Sequence, residues 1–536
     1  MTSKELIVFT DSGDTIVDEA TQVRDARGIV QEAGFIPGAD GVLRQLHEEG
    51  FTVALVADGE WESFRNVYER SGLDDCFDAW VVSEVVGEQK PAPSMFDTAM
   101  RALGLTDADR HRIVMVGNNL KKDVAGANRQ GFISVWLDWS PRYFHAVEES
   151  DWQPDYTVHT PAELYALLHR LDAELTAQKQ AVRDRLERLV RAFQPILYED
   201  DEVFLRNMRE RNLAGDDLRR YRHWEWTQGV GLYGLWRLYL RTREGALLDT
   251  LTRFFDAQLT IGFPALNVNT IAPFLTMALV GEHLGEERYL APCRETAAWI
   301  MASFPRTEEG GFQHTTSDSL NEQELWDDTL FMTVLFLATM GRIEGREDYL
   351  AEARRQFLLH EKYLADPVTG LWYHGWTFRG RHNFARAFWG RGNSWVTMAI
   401  PELLRITDGD AAVRERLGSA LRHQAESLVR CQSPEGMWHT LVDDPASYVE
   451  SSATCGFGYG LMRGVRMGLL PPAFEKAAWR ALPPMLDNIG DDGVVRQVSY
   501  GTPMGRESRD FYRNIEIKPM PYGQAMAMLF LNECLG

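Results

Sequence analysis

The chain predicts a multidomain protein, an N-terminal parallel α/β domain followed by an all-α domain. Three observations predict it. At 536 residues the chain is too long for one ordinary core. Over roughly the first 140 residues, short β-rich runs alternate with helical patterns. Beyond about residue 200 strand signals nearly vanish, and helical patterns recur between breaks rich in Gly, Pro and aromatic residues.

In the first part ELIVFT, TVALVA, AWVVS, RIVMVG and SVWLDW are apolar runs of strand length. GVLRQLHEEG and SMFDTAMRALGL, between them, are helical. Alternation of this kind makes a parallel sheet covered by helices, with its chemistry at the carboxyl ends of the strands. Residues 1–158 form this domain, and the charged helical pattern within 159–200 is expected to link it to a domain spanning 201–536. There GLYGLWRLYLRT, IAPFLTMALVGEHLG, YLAPCRETAAWIMASF, DTLFMTVLFLATMG, NSWVTMAIPELLRI and GFGYGLMRGVRMG follow one another; of all the helical patterns in this part, several are apolar nearly all round and several are amphipathic. YLAEARRQFLLHEKYL and AVRERLGSALRHQAESLVRC are two more helical patterns of this part. The mix suits an inner layer of buried helices and an outer layer with one polar face. At roughly 25–30 residues per helix and loop, on the order of a dozen helices are expected. An (α/α)6 barrel has that count, and periodicity alone fits a helical solenoid as well.

Composition narrows the function. A formal net charge of −22 argues against broad contact with nucleic acid or an anionic membrane. No apolar segment is long enough to span a bilayer, and MTSKELIVFT has no secretory pattern. Cys76, Cys293, Cys431, Cys455 and Cys534 are widely spaced, odd in number and without a C-x-x-C pair, which points to buried thiols and a reducing cytoplasm. Nothing in the sequence sets an oligomeric state.

VFTDSGDTIVDE (8–19) places Asp11 at the end of the first strand, KPAPSMF supplies Lys90, and VGNNLKKDVAGA supplies Asp123. These motifs resemble the haloacid dehalogenase (HAD) superfamily over residues 1 to about 140. The resemblance implies a HAD-like Rossmannoid fold with Asp11 as nucleophile toward phosphate and Lys90 steadying the charge. It also implies Mg²⁺ held by Asp11, Asp123 and the backbone carbonyl of Gly13, oxygen donors suited to a hard cation. Three positions depart from the family pattern. Gly13 stands where a general acid is expected, with Asp14 one place later; Ala57 replaces a hydroxyl residue; and Asn118 replaces an acid. A missing proton donor commonly costs about 10²–10⁴ in rate, so a degenerate domain with weak or no phosphatase activity is expected.

WEWTQGVGLYGLW (224–236), ALNVNTIAPFL (265–275), GGFQHTTSDSLNEQELWDDTLFM (310–332), GLWYHGW (370–376), FWGRGNSW (388–395), GMWHTLVDDPASYVESSATCGFGYG (436–460) and MPYGQAMAM (520–528) follow in order. Together they resemble glycoside hydrolase families 105 and 88, the unsaturated rhamnogalacturonyl and glucuronyl hydrolases. The resemblance implies an (α/α)6 barrel with its active site at the broad mouth and no cofactor. It implies as substrate an acidic oligosaccharide ending in an unsaturated uronate. The family pattern W-x-D-x-L-[FY]-M, laid on WDDTLFM, makes Asp328 the catalytic acid, with Asp327 beside it in the variable position and counted among the substrate contacts. An aspartate expected before IAPFLTMAL is replaced by Asn267 and Asn269, amides for sugar hydroxyls. Trp224, Trp226, Trp376, Trp389 and Trp395 are candidates for stacking on the sugar ring, some of them core. Arg391 and His374 are candidates for the uronate carboxylate, with His314 and Asn393 behind them. Glu450 could orient the pocket or cap a helix, and the structural role is favoured. A conventional glycosidase would need a second carboxylate, for which Asp318, Glu324 and Glu450 are available.

Overall fold

A computed structural model describes residues 4–200, 202–407 and 410–536. The chain divides into two compact units, with the boundary between Ala181 and Val182; the short segment Pro471–Lys476 also belongs to the first unit.

The first unit is built on six strands: β1 (Ile7–Thr10), β2 (Thr52–Ala57), β3 (Ala79–Val82), β4 (Ile113–Gly117), β5 (Ile133–Leu137) and β6 (Tyr156–Val158). Their order is β3-β2-β1-β4-β5-β6, and every pairing is parallel. In register, Ile7 faces Thr52 on one side and Ile113 on the other. The β-branched and apolar strands are buried on both faces, as parallel sheets require. Helices α1 (Ala39–Glu48), α2 (Trp61–Ser71) and α3 (Pro93–Ala102) supply the cover, each an amphipathic segment with its apolar side down. Helix α4 (Pro161–Ile196) fills most of the stretch read as a linker. Its first half is not a free connection, because Leu167, Leu168 and Leu171 complete one hydrophobic layer of the sheet.

Among the described residues, eleven helices of the second unit alternate in the chain between an inner and an outer set. The inner set is α5 (Trp226–Thr242), α7 (Val268–Leu284), α9 (Leu335–Ile343), α11 (Gly390–Ile406), α13 (Ser451–Arg466) and α15 (Pro521–Cys534). The outer set is α6 (Gly245–Ile261), α8 (Glu287–Ser303), α10 (Glu347–Leu364), α12 (Ala411–Cys431) and α14 (Glu475–Asp487). Helices α7, α11, α13 and α15 are buried along nearly their whole length, whereas α6, α8, α10 and α12 bury one face. Packing neighbours run α5–α7–α9–α11–α13–α15 and back to α5, which closes the ring of an (α/α)6 barrel. Two short strands, β7 (Glu324–Trp326) and β8 (Gly375–Thr377), pair antiparallel across loops at one end of the ring.

Contacts between neighbours show that the inner helices run parallel. Residues at their N-terminal ends meet: Ser317 bridges Glu225 before α5 and Asn267 before α7, Asp327 packs on Gly392 of α11, and Trp226 of α5 stacks on Tyr522 of α15. At the opposite end Glu402 of α11 is buried among Arg237, Arg405, Tyr233 and Tyr459, and Glu533 of α15 pairs with Arg237 and Arg466. These arginines outweigh burial and hold the Glu402 carboxyl well below its ordinary range. The far end of the ring is therefore plugged by a packed ionic cluster.

Candidate active sites

Asp328 sits where the chain leaves β7 and begins the turn that leads into α9. Its backbone carbonyl accepts from Phe331 N at 3.1 Å and Met332 N at 3.0 Å, so the helix starts on it. Its side chain keeps 20 % of its surface accessible. Carboxylate Oδ1 lies 3.3 Å from Nδ1 of His314, and that nitrogen is 2.8 Å from the Thr329 hydroxyl. The His314 ring stacks on Trp326 with centroids 4.2 Å apart and planes 5° from parallel. Burial lowers the His314 pKa, opposed by the Asp328 charge, so the ring is neutral near pH 7. Neither His314 nor Asp328 lines the open cleft nearby, but His314 hydrogen-bonds residues that do. Its amide donates to the Glu324 carbonyl and its carbonyl accepts from Asn321 Nδ2; both residues line that cleft with Arg379, His382, Phe384 and Arg506.

Asp327 points the other way. It is wholly buried, among the described residues no other side chain donates to its carboxylate oxygens, and a Cβ on Gly392 would stand 2.2 Å from Oδ2. Burial, and then the Asp328 charge, raise its pKa far above the usual carboxylate range, so it is a neutral acid. A group with no accessible surface does not fit the substrate contact expected of it.

Several other expectations change in the same way. Trp224 is fully buried, its indole N–H donating to the Thr270 carbonyl and its rings packed on Phe263 and Phe274. Trp395 is buried against Phe331. Asn393 is fully buried, and its carboxamide pairs with both backbone groups of Trp372, fixing the GLW loop to α11. Arg391 is buried between the Trp389 and Tyr522 rings. Its two terminal nitrogens already donate to Ser499 and Thr502, so the fork expected to meet a uronate is engaged. His374 is buried beside Trp389, with Nδ1 2.7 Å from the Tyr512 hydroxyl; Nε2 has no hydrogen-bond partner. Burial drives its pKa well down. Trp226, Trp376 and Asn269 remain partly exposed. Glu450 caps α13 through Ala453 N, binds Ser452 and Ser499 N, and is fully buried.

Glu225 was not singled out in the sequence. It precedes α5, is buried, and accepts at Oε1 from Ser317 Oγ at 3.2 Å; Ser317 in turn accepts from Asn267 Nδ2 at 2.9 Å. Burial pushes its pKa up to about 8. It lines a narrow cleft with Arg222, Asn267 and Ser317. Its only signal in the sequence is its place between two tryptophans, which reads equally well as core.

In the first unit, the carboxyl ends of β1 and β4 bring the second set together. Lys90 Nζ donates to Asp11 at 2.8 Å and to Asp123 at 2.6 Å. Lys90 is buried, yet the two carboxylates outweigh burial and raise its pKa; burial, reinforced by Asp11, raises that of Asp123. Asp58 after β2 pairs with Lys122 at 2.8 Å. Asp14 does not fill the place of the acid absent at 13. It is fully buried, at φ 48°, accepts from Glu19 N and pairs with Arg142. Sequence reasoning also passed over Glu19, whose carboxyl lies over Gly13, so that a Cβ there would stand 2.1 Å from Oε1. Two carboxylates and the Gly13 carbonyl fit Mg²⁺, which keeps several waters and needs few protein ligands. Among the described residues no three His, Cys, Asp or Glu side chains gather as a metal cluster.

A family model described as Glycosyl Hydrolase Family 88 matches residues 202–536, and one described as haloacid dehalogenase-like hydrolase matches residues 4–131. An unsaturated rhamnogalacturonyl hydrolase, YesR, of Bacillus subtilis (strain 168) is 33 % identical over 315 residues, 58 % of this chain and 90 % of the relative. A crystal structure described as a possible member of the GH105 family from Klebsiella pneumoniae subsp. pneumoniae MGH 78578 superposes with a TM-score of 0.61 at 44 % identity, covering 66 % of this chain and 93 % of that one. The first unit is similar to a glyceraldehyde 3-phosphate phosphatase of Methanopyrus kandleri, 33 % identical over 145 residues. That match spans 25 % of this chain and 57 % of the relative.

Proposed function

Because the chain belongs to Glycosyl Hydrolase Family 88, we propose that its barrel releases a Δ4,5-unsaturated uronic acid from lyase-generated acidic oligosaccharides, with Asp328 as acid and then base. The observation that carries this reading is the accessible Asp328 carboxyl at the N-terminal end of the inner ring, backed by neutral His314. The similarity to an unsaturated rhamnogalacturonyl hydrolase supports the substrate class. The C4=C5 enol ether is electron-rich at C4. Asp328 gives its proton to C4, and an oxocarbenium-like cation forms at C5. The Asp328 carboxylate then takes a proton from water as the water oxygen bonds to C5. The hemiketal opens and frees the neighbouring sugar.

One carboxyl suffices for hydration, whereas a conventional glycosidase needs two opposed. Glu324 is held by Trp326 Nε1 and Arg506, Glu450 by its cap, and Asp318 accepts from the Thr316 hydroxyl in its own loop, which favours hydration. The experiment is direct, since the unsaturated uronate absorbs in the near ultraviolet and hydration destroys the chromophore. Absorbance falls with the wild-type protein, and Asp328→Asn stops the fall. A variant with full activity moves the chemistry to another residue.

A second reading concerns the N-terminal unit. Asp11 held by buried Lys90 at the end of β1 is the arrangement of a carboxylate nucleophile toward phosphorus, and the similarity to a phosphatase supports phosphomonoester hydrolysis. Mg²⁺ there would neutralise phosphate oxygens, held by Asp11, Asp123 and the Gly13 carbonyl. The expectation of weak turnover rests on the empty position 13 and on Ala57, and the placing of Glu19 bears on the first of these.

A further inference from the structure

A phosphoryl group passing through a carboxylate nucleophile needs one further group. The departing ester oxygen must receive a proton, and the water that frees the enzyme must lose one. Six carboxyl groups surround the Asp11 site, and most are committed. Asp11 and Asp123 share Lys90. Asp58 pairs with Lys122. Asp14 and Asp18 both pair with Arg142. Among the described residues Glu19 alone forms no ion pair; its Oε2 accepts from the Tyr143 hydroxyl at 2.8 Å. That bond directs Oε1 over the α-carbon of Gly13, two residues from Asp11, into the space that a side chain at 13 would fill. A Cβ at residue 13 would push the Glu19 carboxyl out of that space.

We propose that Glu19 is a catalytic residue of the N-terminal site, carrying the proton for the leaving oxygen of a phosphomonoester from the place where residue 13 has no side chain. The inference rests on reading that site as a phosphomonoester hydrolase. An Asp11 oxygen bonds to phosphorus, the bond from phosphorus to the ester oxygen breaks, and the oxygen keeps the electron pair and takes the Glu19 proton. Water then bonds to phosphorus and gives a proton to the Glu19 carboxylate. The bond from phosphorus to Asp11 breaks, and inorganic phosphate leaves with both carboxyl groups restored.

The test compares two esters on the full-length protein in Mg²⁺ buffer. p-Nitrophenolate leaves without a proton, whereas the alkoxide of glycerol phosphate does not. The wild-type protein is expected to turn over both. Glu19→Gln is expected to lose about 10²–10⁴-fold on glycerol phosphate. With p-nitrophenyl phosphate it still releases nitrophenolate in a burst and accumulates an acyl phosphate that hydroxylamine traps. The burst shows that the altered site is folded, and Asp11→Asn removes it. Moving the carboxyl, by Gly13→Asp together with Glu19→Ala, is expected to recover at least about tenfold over Glu19→Ala alone. Wild-type turnover of glycerol phosphate by Glu19→Gln overturns the role of Glu19 while leaving the phosphomonoester reading intact. A wild-type protein that neither bursts nor turns over either ester refutes that reading and the role with it.

Discussion

Between Asp327 and Asp328 the backbone turns two consecutive carboxyl groups apart, one into the wall between α9 and α11 and one toward the mouth of the ring. Their substitutions should therefore diverge. Asp327→Asn replaces a neutral buried acid with a neutral amide of the same shape, and hydration is expected to stay within a few-fold of wild type by the absorbance assay. Asp328→Asn abolishes it. Glu225 makes a different prediction, through stability. Its pKa is about 8 in the fold against an ordinary 4.5, so between those values the folded state holds a proton that the unfolded state has released. Its stabilising effect is complete below about pH 4.5 and is lost as pH rises toward 8, at a slope of up to about 1.4 kcal/mol per pH unit. Glu225→Gln is expected to flatten the dependence of melting temperature on pH across that window and to melt higher than wild type at pH 8.

At the scale of elements, close approach of chain segments fixes the geometry of the mouth. The turn at Asp327 lies against α11 because residue 392 has no side chain. Gly392→Ala is expected to cost about 1–3 kcal/mol in chemical denaturation and to lower hydration by shifting Asp328. Much of this scale was legible in the sequence. Strand-length runs marked five of the six strands, and helices apolar all round marked the inner ring. The WDD patch placed one carboxyl at a helix start with surface to spare. What the sequence hid were roles that depend on partners far along the chain. Arg391 reads as a free cation until Ser499 and Thr502 occupy it. Asn393 reads as a sugar contact until Trp372 is seen pairing with its carboxamide. Trp224 and Trp395 look like stacking platforms because an indole has the same composition in a core as in a cleft. The three-residue strand β6 is too short for its periodicity to register. Glu19 and Gly13 are six positions apart, and only the fold lays one over the other.

For the whole molecule, net charge and helix direction act against each other. The surface repels an anionic oligosaccharide at a distance, with a net charge of −22, while six parallel helix N-termini at the mouth favour anions close by. Salt screens the long-range term first, so kcat/KM for an acidic oligosaccharide should rise as ionic strength goes from about 10 mM to about 100 mM. A steady fall over that range would show that the local field governs capture. The ionic plug makes a separate prediction, because removing one charge unbalances the others. Glu402→Ala removes one of the two buried carboxylates that Arg237 pairs with and is expected to cost about 3 kcal/mol in denaturant unfolding. That plug has one more consequence. A tube stoppered at its base is a socket and not a tunnel, so a polymer cannot thread through it or be gripped along its middle. On the proposed reading only a terminus enters, and the freed sugar backs out through the opening by which it came.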